Sequence, residues 1–182
     1  MKRTSTRLRA LWKDLPDDLV MRAKGPRRVT DADAEPNYAF RATDRGDPID
    51  IVQRVCGGGK PMGTLLLRAG REIRVAQSAL NETCRALGLQ HEDFFQTGGR
   101  REAAIFLPDA TLGQYYDQAA VIARYREEAG VVLDPALFAT PIHRFARGVV
   151  SGELPEAVKY PLLGLCLGYP IADTIALVSN TP

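Results

Sequence analysis

The residue best suited to covalent chemistry in this chain of 182 residues is Cys166, near the carboxyl end. It lies between two glycines in the sequence Gly164-Leu-Cys-Leu-Gly168, the G-x-C-x-G form of a nucleophile elbow. An elbow turns sharply from a strand into a helix and holds the thiol at the helix N-terminus, where its pKa falls. Cys166 is therefore a candidate nucleophile for acyl transfer or amide hydrolysis.

A cysteine nucleophile also needs a base, and the chain offers two histidines, His91 and His143, both upstream of Cys166. One of them would have to fold beside the thiol, with Asp173 or Glu156 orienting the imidazole. Free cysteines more often serve as small buried packing residues. We therefore expect Cys166 to be structural and keep the enzyme built on Cys166, His143 and Asp173 as the alternative.

The run Pro161-Leu-Leu-Gly-Leu-Cys-Leu-Gly168 resembles the cysteine elbow of class I glutamine amidotransferases. In that family the cysteine attacks the glutamine amide with help from a histidine and an acidic residue that lie far downstream. In this sequence no histidine follows Cys166. We interpret this local match as coincidental.

The segment from Leu163 to Thr174, Leu-Gly-Leu-Cys-Leu-Gly-Tyr-Pro-Ile-Ala-Asp-Thr, resembles the I-G-x-F-L-G-Y-P-x-x-D-V segment that ends the members of an uncharacterised bacterial family. The preceding Ser151-Gly-Glu-Leu-Pro155 is also similar, so the resemblance covers about the last 30 residues. Cys166 stands where that family usually has an aromatic residue, which favours packing. The resemblance implies no activity.

A second glycine-rich segment, Cys56-Gly-Gly-Gly-Lys60-Pro-Met-Gly63, invites a phosphate-loop interpretation because glycine backbones and a lysine can cradle phosphate. The P-loop pattern would need glycine at position 54 and Ser or Thr at 61, where this chain has Arg54 and Pro61. We therefore predict a flexible hairpin loop between two strands.

The sequence favours neither a metal nor a cofactor. His91-Glu-Asp93 reads as a solvated loop, because adjacent residues do not converge on one ion without further ligands. The three cysteines, at positions 56, 84 and 166, lack metal-ligand spacing. We interpret them as free thiols in a reducing compartment, which predicts a cytoplasmic protein without metal or cofactor.

Positive charge is concentrated at the amino end. Residues 1–28 hold nine Lys or Arg against three Asp, a net charge of +6, which leaves −4 for the remaining 154 residues. The residues that we expect to meet a partner are Lys2, Arg3, Arg7, Arg9, Trp12, Lys13, Arg27 and Arg28. Such an arm suits nucleic acid or an acidic protein, and a membrane surface less well.

The remaining hydrophobic and turn patterns of the sequence predict the fold that positions these residues. We predict a basic amphipathic arm over residues 1–30, with a helical turn over Asp17 to Lys24, and one α+β domain over residues 37–182. A short antiparallel meander of about three to five strands would be covered on one face by helices, and the carboxyl-terminal third would be helical.

The predicted strands are Tyr38 to Thr43, Ile49 to Val55, Thr64 to Ala69 and Ala103 to Leu107. We expect one helix capped by Ser78 and ended by Gly88. A longer helix should run from Asp109 or Thr111 to about Ala129.

The function predicted from the sequence is binding without catalysis, through the basic arm. The first alternative is the cysteine enzyme described above. The second is a structural component that buries the apolar segment from Tyr160 to Val178 against another copy of itself.

Overall fold

The computed structural model describes residues 21–24, 45–46, 48–68, 73–97, 100–154 and 156–179. The described strands are β1 Met21–Lys24, β2 Arg45–Gly46, β3 Met62–Arg68, β4 Gln90–Thr97 and β5 Arg100–Phe106. Within these described residues, the α-helices are α1 Pro48–Cys56, α2 Ile73–Leu87, α3 Gln118–Ala129, α4 Ile142–Ser151, α5 Glu156–Cys166 and α6 Ile171–Ser179. Two short 3₁₀ helices, Leu112–Gln114 and Pro135–Phe138, flank α3.

The strands form one antiparallel sheet in the order β2-β1-β3-β5-β4. β4 and β5 are a hairpin whose pairing is interrupted by a bulge between Asp93 and Phe95. The predicted α+β class, with an antiparallel sheet and a helical carboxyl-terminal third, is confirmed.

Helices cover both faces of the sheet, so the expectation of one covered face was wrong. One core contains residues from α1 and α2 together with Leu65, Ala103 and Ile105 of the sheet. The other core contains residues from α3 to α6 together with Met62, Ala104 and Phe106. The physical reason is that successive residues of β3 and β5 point to opposite faces and both sets are apolar, as in strands buried on two sides.

The segment predicted as the strand Ile49 to Val55 is the helix α1. Its buried residues Ile51, Val52 and Val55 follow a helical rather than an alternating spacing, and Pro48 occupies the first helical position. The β-branched residues suggested a strand. The loop after α1 therefore joins a helix to β3 and is not a hairpin.

Three other boundaries differ from expectation. Ser78 is an exposed residue inside α2, which begins at Ile73. The long helix predicted from Asp109 or Thr111 begins at Gln118, where the carboxylate of Asp117 accepts a hydrogen bond from the backbone N–H of Ala120. Residues Gln90 to Thr97 form the strand β4, although His91-Glu-Asp93 was expected to be a loop.

Met21 to Lys24 form β1 rather than a helical turn, and β1 lies between β2 and β3 in the sheet. The predicted strand Tyr38 to Thr43 and the arm residues Lys2, Arg3, Arg7, Arg9, Trp12, Lys13, Arg27 and Arg28 lie outside the described residues. None of the helices described here is long and apolar enough to cross a membrane.

Candidate functional site

The glycines around Cys166 cap a helix. Gly168 has a left-handed backbone, with φ of 71°. Its N–H donates to the carbonyl of Leu165 at 3.0 Å, and the N–H of Tyr169 donates to the carbonyl of Gly164 at 3.0 Å. These two bonds are the Schellman motif that closes a helix C-terminus.

Gly164 has a second role, in helix packing. A Cβ atom at this position would lie 2.4 Å from Cγ2 of Thr174 on α6. The absent side chain therefore lets α5 and α6 approach closely. The G-x-C-x-G spacing is explained by one capping glycine and one packing glycine.

Cys166 is the last residue of α5 and is fully buried, with 0% of its surface exposed. A nucleophile elbow would place the thiol at a helix N-terminus after a strand, whereas here the thiol stands at the C-terminal, partly negative end of a helix. Burial raises the pKa of the Cys166 thiol above its usual value. This environment favours the neutral thiol and packing.

The other residues of the hypothetical enzyme lie on separate elements. His91 is on the edge strand β4, with Nε2 at 2.8 Å from Oδ1 of Asn81 on α2, and His143 lies in the first turn of α4. Within the described part of the chain, neither imidazole makes a hydrogen bond with Cys166 or Asp173. Asp173 is half-buried in the first turn of α6, and burial raises the pKa of its carboxyl group.

The glycine run before Lys60 is a second Schellman cap, at the end of α1. Gly58 has φ of 68° and its N–H donates to the carbonyl of Val55 at 3.1 Å, while the N–H of Gly59 donates to the carbonyl of Arg54 at 2.9 Å. Phosphate loops place their amides at a helix N-terminus. Here the glycines follow a helix C-terminus, where the partial charge of the helix is negative and disfavours an anion.

Lys60 is a buried lysine, with only 4% of its surface exposed. Its aliphatic stem lies against the cap of α5, where a Cβ atom on Gly168 would be 3.2 Å from Cγ of Lys60. Burial, and secondly the charge of Arg54, lower the pKa of Lys60 to about 8. The two glycine motifs of the sequence thus meet at one buried lysine, which sequence reasoning treated only as a loop residue.

Basic residues gather at one end of the sheet. Arg68 at the end of β3 is paired with Arg100 at the start of β5, and the next pair is Leu67 with Arg101. Met21 of β1 also pairs with Leu67, so the chain enters β1 at this same end. The approach of Arg100 and Arg101 to Arg68 was not predicted, because strand register is not visible in local sequence.

Comparisons of the chain with protein-family models, with curated proteins and with solved structures gave no match. The resemblance of the carboxyl-terminal segment to the uncharacterised bacterial family therefore stays a prediction.

Proposed function

We propose that the protein is a binding protein without catalytic activity, whose basic amino-terminal arm contacts nucleic acid or an acidic protein. The observation that carries this proposal is the position of β1. It pairs with β3 inside the sheet and begins beside Leu67, one residue from Arg68. β1, the described part of the arm, therefore begins at the end of the sheet where Arg68, Arg100 and Arg101 are found.

Electrostatics supports the same proposal. Residues 1–28 carry a net charge of +6, and the charged side chains before β1 include Arg7, Arg9 and Lys13. Neutralising phosphates with Lys and Arg releases condensed counterions, and this release drives salt-dependent binding. Trp12 stands among these cations and adds an aromatic face on which a base can stack.

The cysteine enzyme is the weaker alternative because Cys166 is fully buried at a helix C-terminus and, among the described contacts, His91 bonds Asn81 and not Cys166. The structural alternative uses the segment from Tyr160 to Val178. Leu162, Leu165 and Ile175 of that segment are buried within the single chain, and Tyr160 is 47% exposed. Most of the apolar surface in this segment is already covered without a second copy.

A matched pair of triple variants tests the proposal. Arg7→Gln/Arg9→Gln/Lys13→Gln neutralises the arm, and Arg85→Gln/Arg126→Gln/Arg144→Gln removes the same charge from exposed positions on α2, α3 and α4. Binding to labelled DNA and to polyglutamate is followed by fluorescence anisotropy over a range of salt concentrations.

We expect the arm triple to weaken binding and to lower the slope of log K against log salt by about 2 to 3, because three phosphate contacts are lost. The control triple should bind as the unchanged protein does. Affinity that is independent of salt, or an equal loss in both triples, would contradict the proposal.

A further inference from the structure

Two of the three cysteines stand at the ends of helices. Cys56 is the last residue of α1, and Cys84 lies in the last turn of α2, which ends at Leu87. A left-handed glycine follows each helix, Gly58 after α1 and Gly88 after α2, both with φ of 68°. Each thiol is therefore fixed at a point where a capped helix stops.

The sheet places these two helix ends beside each other. The short connections 57–61 and 88–89 lead from α1 into β3 at Met62 and from α2 into β4 at Gln90, and both strand starts pair with Phe106 of β5. β3 and β4 therefore begin at the same end of the sheet, two strand spacings of about 4.8 Å apart. Since α1 and α2 also share one core on one face of the sheet, their last turns lie on the same side of that end.

Both thiols belong to the same apolar cluster. Cys84 is 4% exposed and lies in the core with Val55, Leu80 and Leu89, whereas Cys56 packs against that core and is partly exposed. Burial, and secondly the charge of Cys56, raise the pKa of Cys84 to about 12. Because one thiol acts on the ionisation of another only at short range, this coupling agrees with the topology in making the two sulfur atoms neighbours.

We propose that Cys56 and Cys84 are an oxidisable pair, which a hydroperoxide converts into a disulfide that ties the end of α1 to the end of α2. Paired thiols of this kind form transient, redox-sensing disulfides in reducing compartments. Cys166 is excluded from the pair because it is fully buried in the other core, on the opposite face of the sheet. The inference does not depend on the proposed binding function.

Cys56 receives the oxidant because it is the partly exposed member of the pair. Its thiolate attacks one oxygen of the peroxide, the O–O bond breaks, and the other oxygen takes up a proton and leaves as an alcohol or as water. The sulfur of Cys84 then attacks the sulfenic acid formed on Cys56, and the sulfenic oxygen leaves as water with the proton of Cys84. In total, two thiols lose two electrons and two protons, and the peroxide gains them.

The test oxidises the full chain with hydrogen peroxide in native buffer and then digests it with trypsin without a reducing agent. We expect a product that joins residues 55–68 to residues 75–85, lighter than the two peptides together by two hydrogen atoms and separated by a reducing agent. Titration of thiols in denaturant should find Cys166 alone still free, where the reduced protein has three free thiols.

The oxidised protein should also be the more stable form. A bond between residues 56 and 84 removes conformations from the unfolded chain, so we expect its thermal midpoint to rise by about 5 to 10 °C. The reducing agent that releases the two peptides should return the midpoint to that of the starting protein.

Three single variants separate the pair from the third cysteine. Cys166→Ala should form the same cross-link as the unchanged protein. Cys84→Ala should leave a sulfenic acid on Cys56 that dimedone labels, because no neighbouring thiol resolves it. In Cys56→Ala the two remaining thiols should stay free, and this variant changes the partly exposed position, so it serves even where alanine at a buried cysteine prevents folding.

Two results would overturn the pair. In the first, peroxide leaves Cys84 free in the native protein and converts Cys56 into a sulfinic acid or into a disulfide between two copies of the chain. In the second, the cross-link forms only after denaturant unfolds the protein and involves Cys166 as often as the other two. Neither result bears on binding by the arm, so this inference and the proposed function stand or fall separately.

Discussion

Lys60 carries an ionisable amine into the place where the ends of α1 and α5 meet. The pKa of Lys60 in the folded protein is about 8, below its ordinary value of 10.5, so the unfolded chain binds the proton more tightly. Stability therefore rises with pH between about 8 and 10.5 on account of this residue, and the full cost of burying the charge is felt below pH 8. The shift corresponds to about 3 kcal/mol.

Lys60→Met isolates this effect because methionine keeps much of the stem that packs on Gly168. We expect the unfolding free energy of Lys60→Met, minus that of the unchanged protein, to fall by about 3 kcal/mol as pH rises from below 8 to above 10.5. Urea unfolding across this pH range measures it. Groups common to both proteins cancel in the difference.

Lys60→Arg is the matched control for the lysine. Arginine stays protonated throughout this range, so the difference between Lys60→Arg and Lys60→Met should not vary with pH. A pH-independent difference between the unchanged protein and Lys60→Met would show that Lys60 keeps an ordinary pKa and that its amine reaches water.

At the scale of elements, the close contact of α5 with α6 depends on Gly164. Gly164→Ala would force its Cβ atom to 2.4 Å from Cγ2 of Thr174, and we expect a loss of about 1 to 3 kcal/mol in unfolding free energy. Thr174→Ser removes that methyl group and keeps the hydroxyl that accepts from Tyr125 and donates to the carbonyl of Ile171.

A double-mutant cycle with Gly164→Ala and Thr174→Ser measures the coupling by chemical denaturation. The alanine should cost less in the Thr174→Ser background, because the clash is relieved and alanine gains about 1 kcal/mol of helix propensity over glycine. Additive effects of the two substitutions would show that the helices do not meet at this glycine.

The same elements show what sequence could and could not predict. The helix ends at Gly88 and near Ala129 were correctly predicted, because a glycine after a periodic segment is a local signal for a left-handed cap. The motif around Cys166 was ambiguous, because an elbow and a Schellman cap both require glycine and only the preceding element distinguishes them. β4 was missed because an edge strand tolerates polar residues such as His91 and Glu92.

At the scale of the whole molecule, the class of fold was predictable from the sequence, whereas the pairing of distant strands was not. The insertion of β1 between β2 and β3 and the approach of Arg68 to Arg100 depend on register between distant segments. The hydrophobic pattern of a short stretch of sequence does not show which distant strand it pairs with, or in which register. For the same reason the meeting of Lys60 with Gly168 was not predicted.

The degree to which the folded protein buries each cysteine should decide how readily that cysteine is alkylated. Cys166 is fully buried in the core formed with α3 to α6, whereas Cys56, at the end of α1, is partly exposed. Only a thiolate that reagent can reach is alkylated, so Cys166 should react with iodoacetamide only through global unfolding. We expect native labelling at Cys56 first, and at Cys166 only as denaturant unfolds the protein.

Mass spectrometry of digested samples, taken along the denaturant titration, reports each cysteine separately. Labelling of Cys166 should follow the unfolding transition seen by circular dichroism, because both observe the same cooperative opening. Cys166→Ala should leave binding to DNA unchanged and lower stability through the cavity that it creates. Rapid, pH-dependent labelling of Cys166 in the native protein would instead revive the cysteine enzyme and reverse the order of the functional proposals.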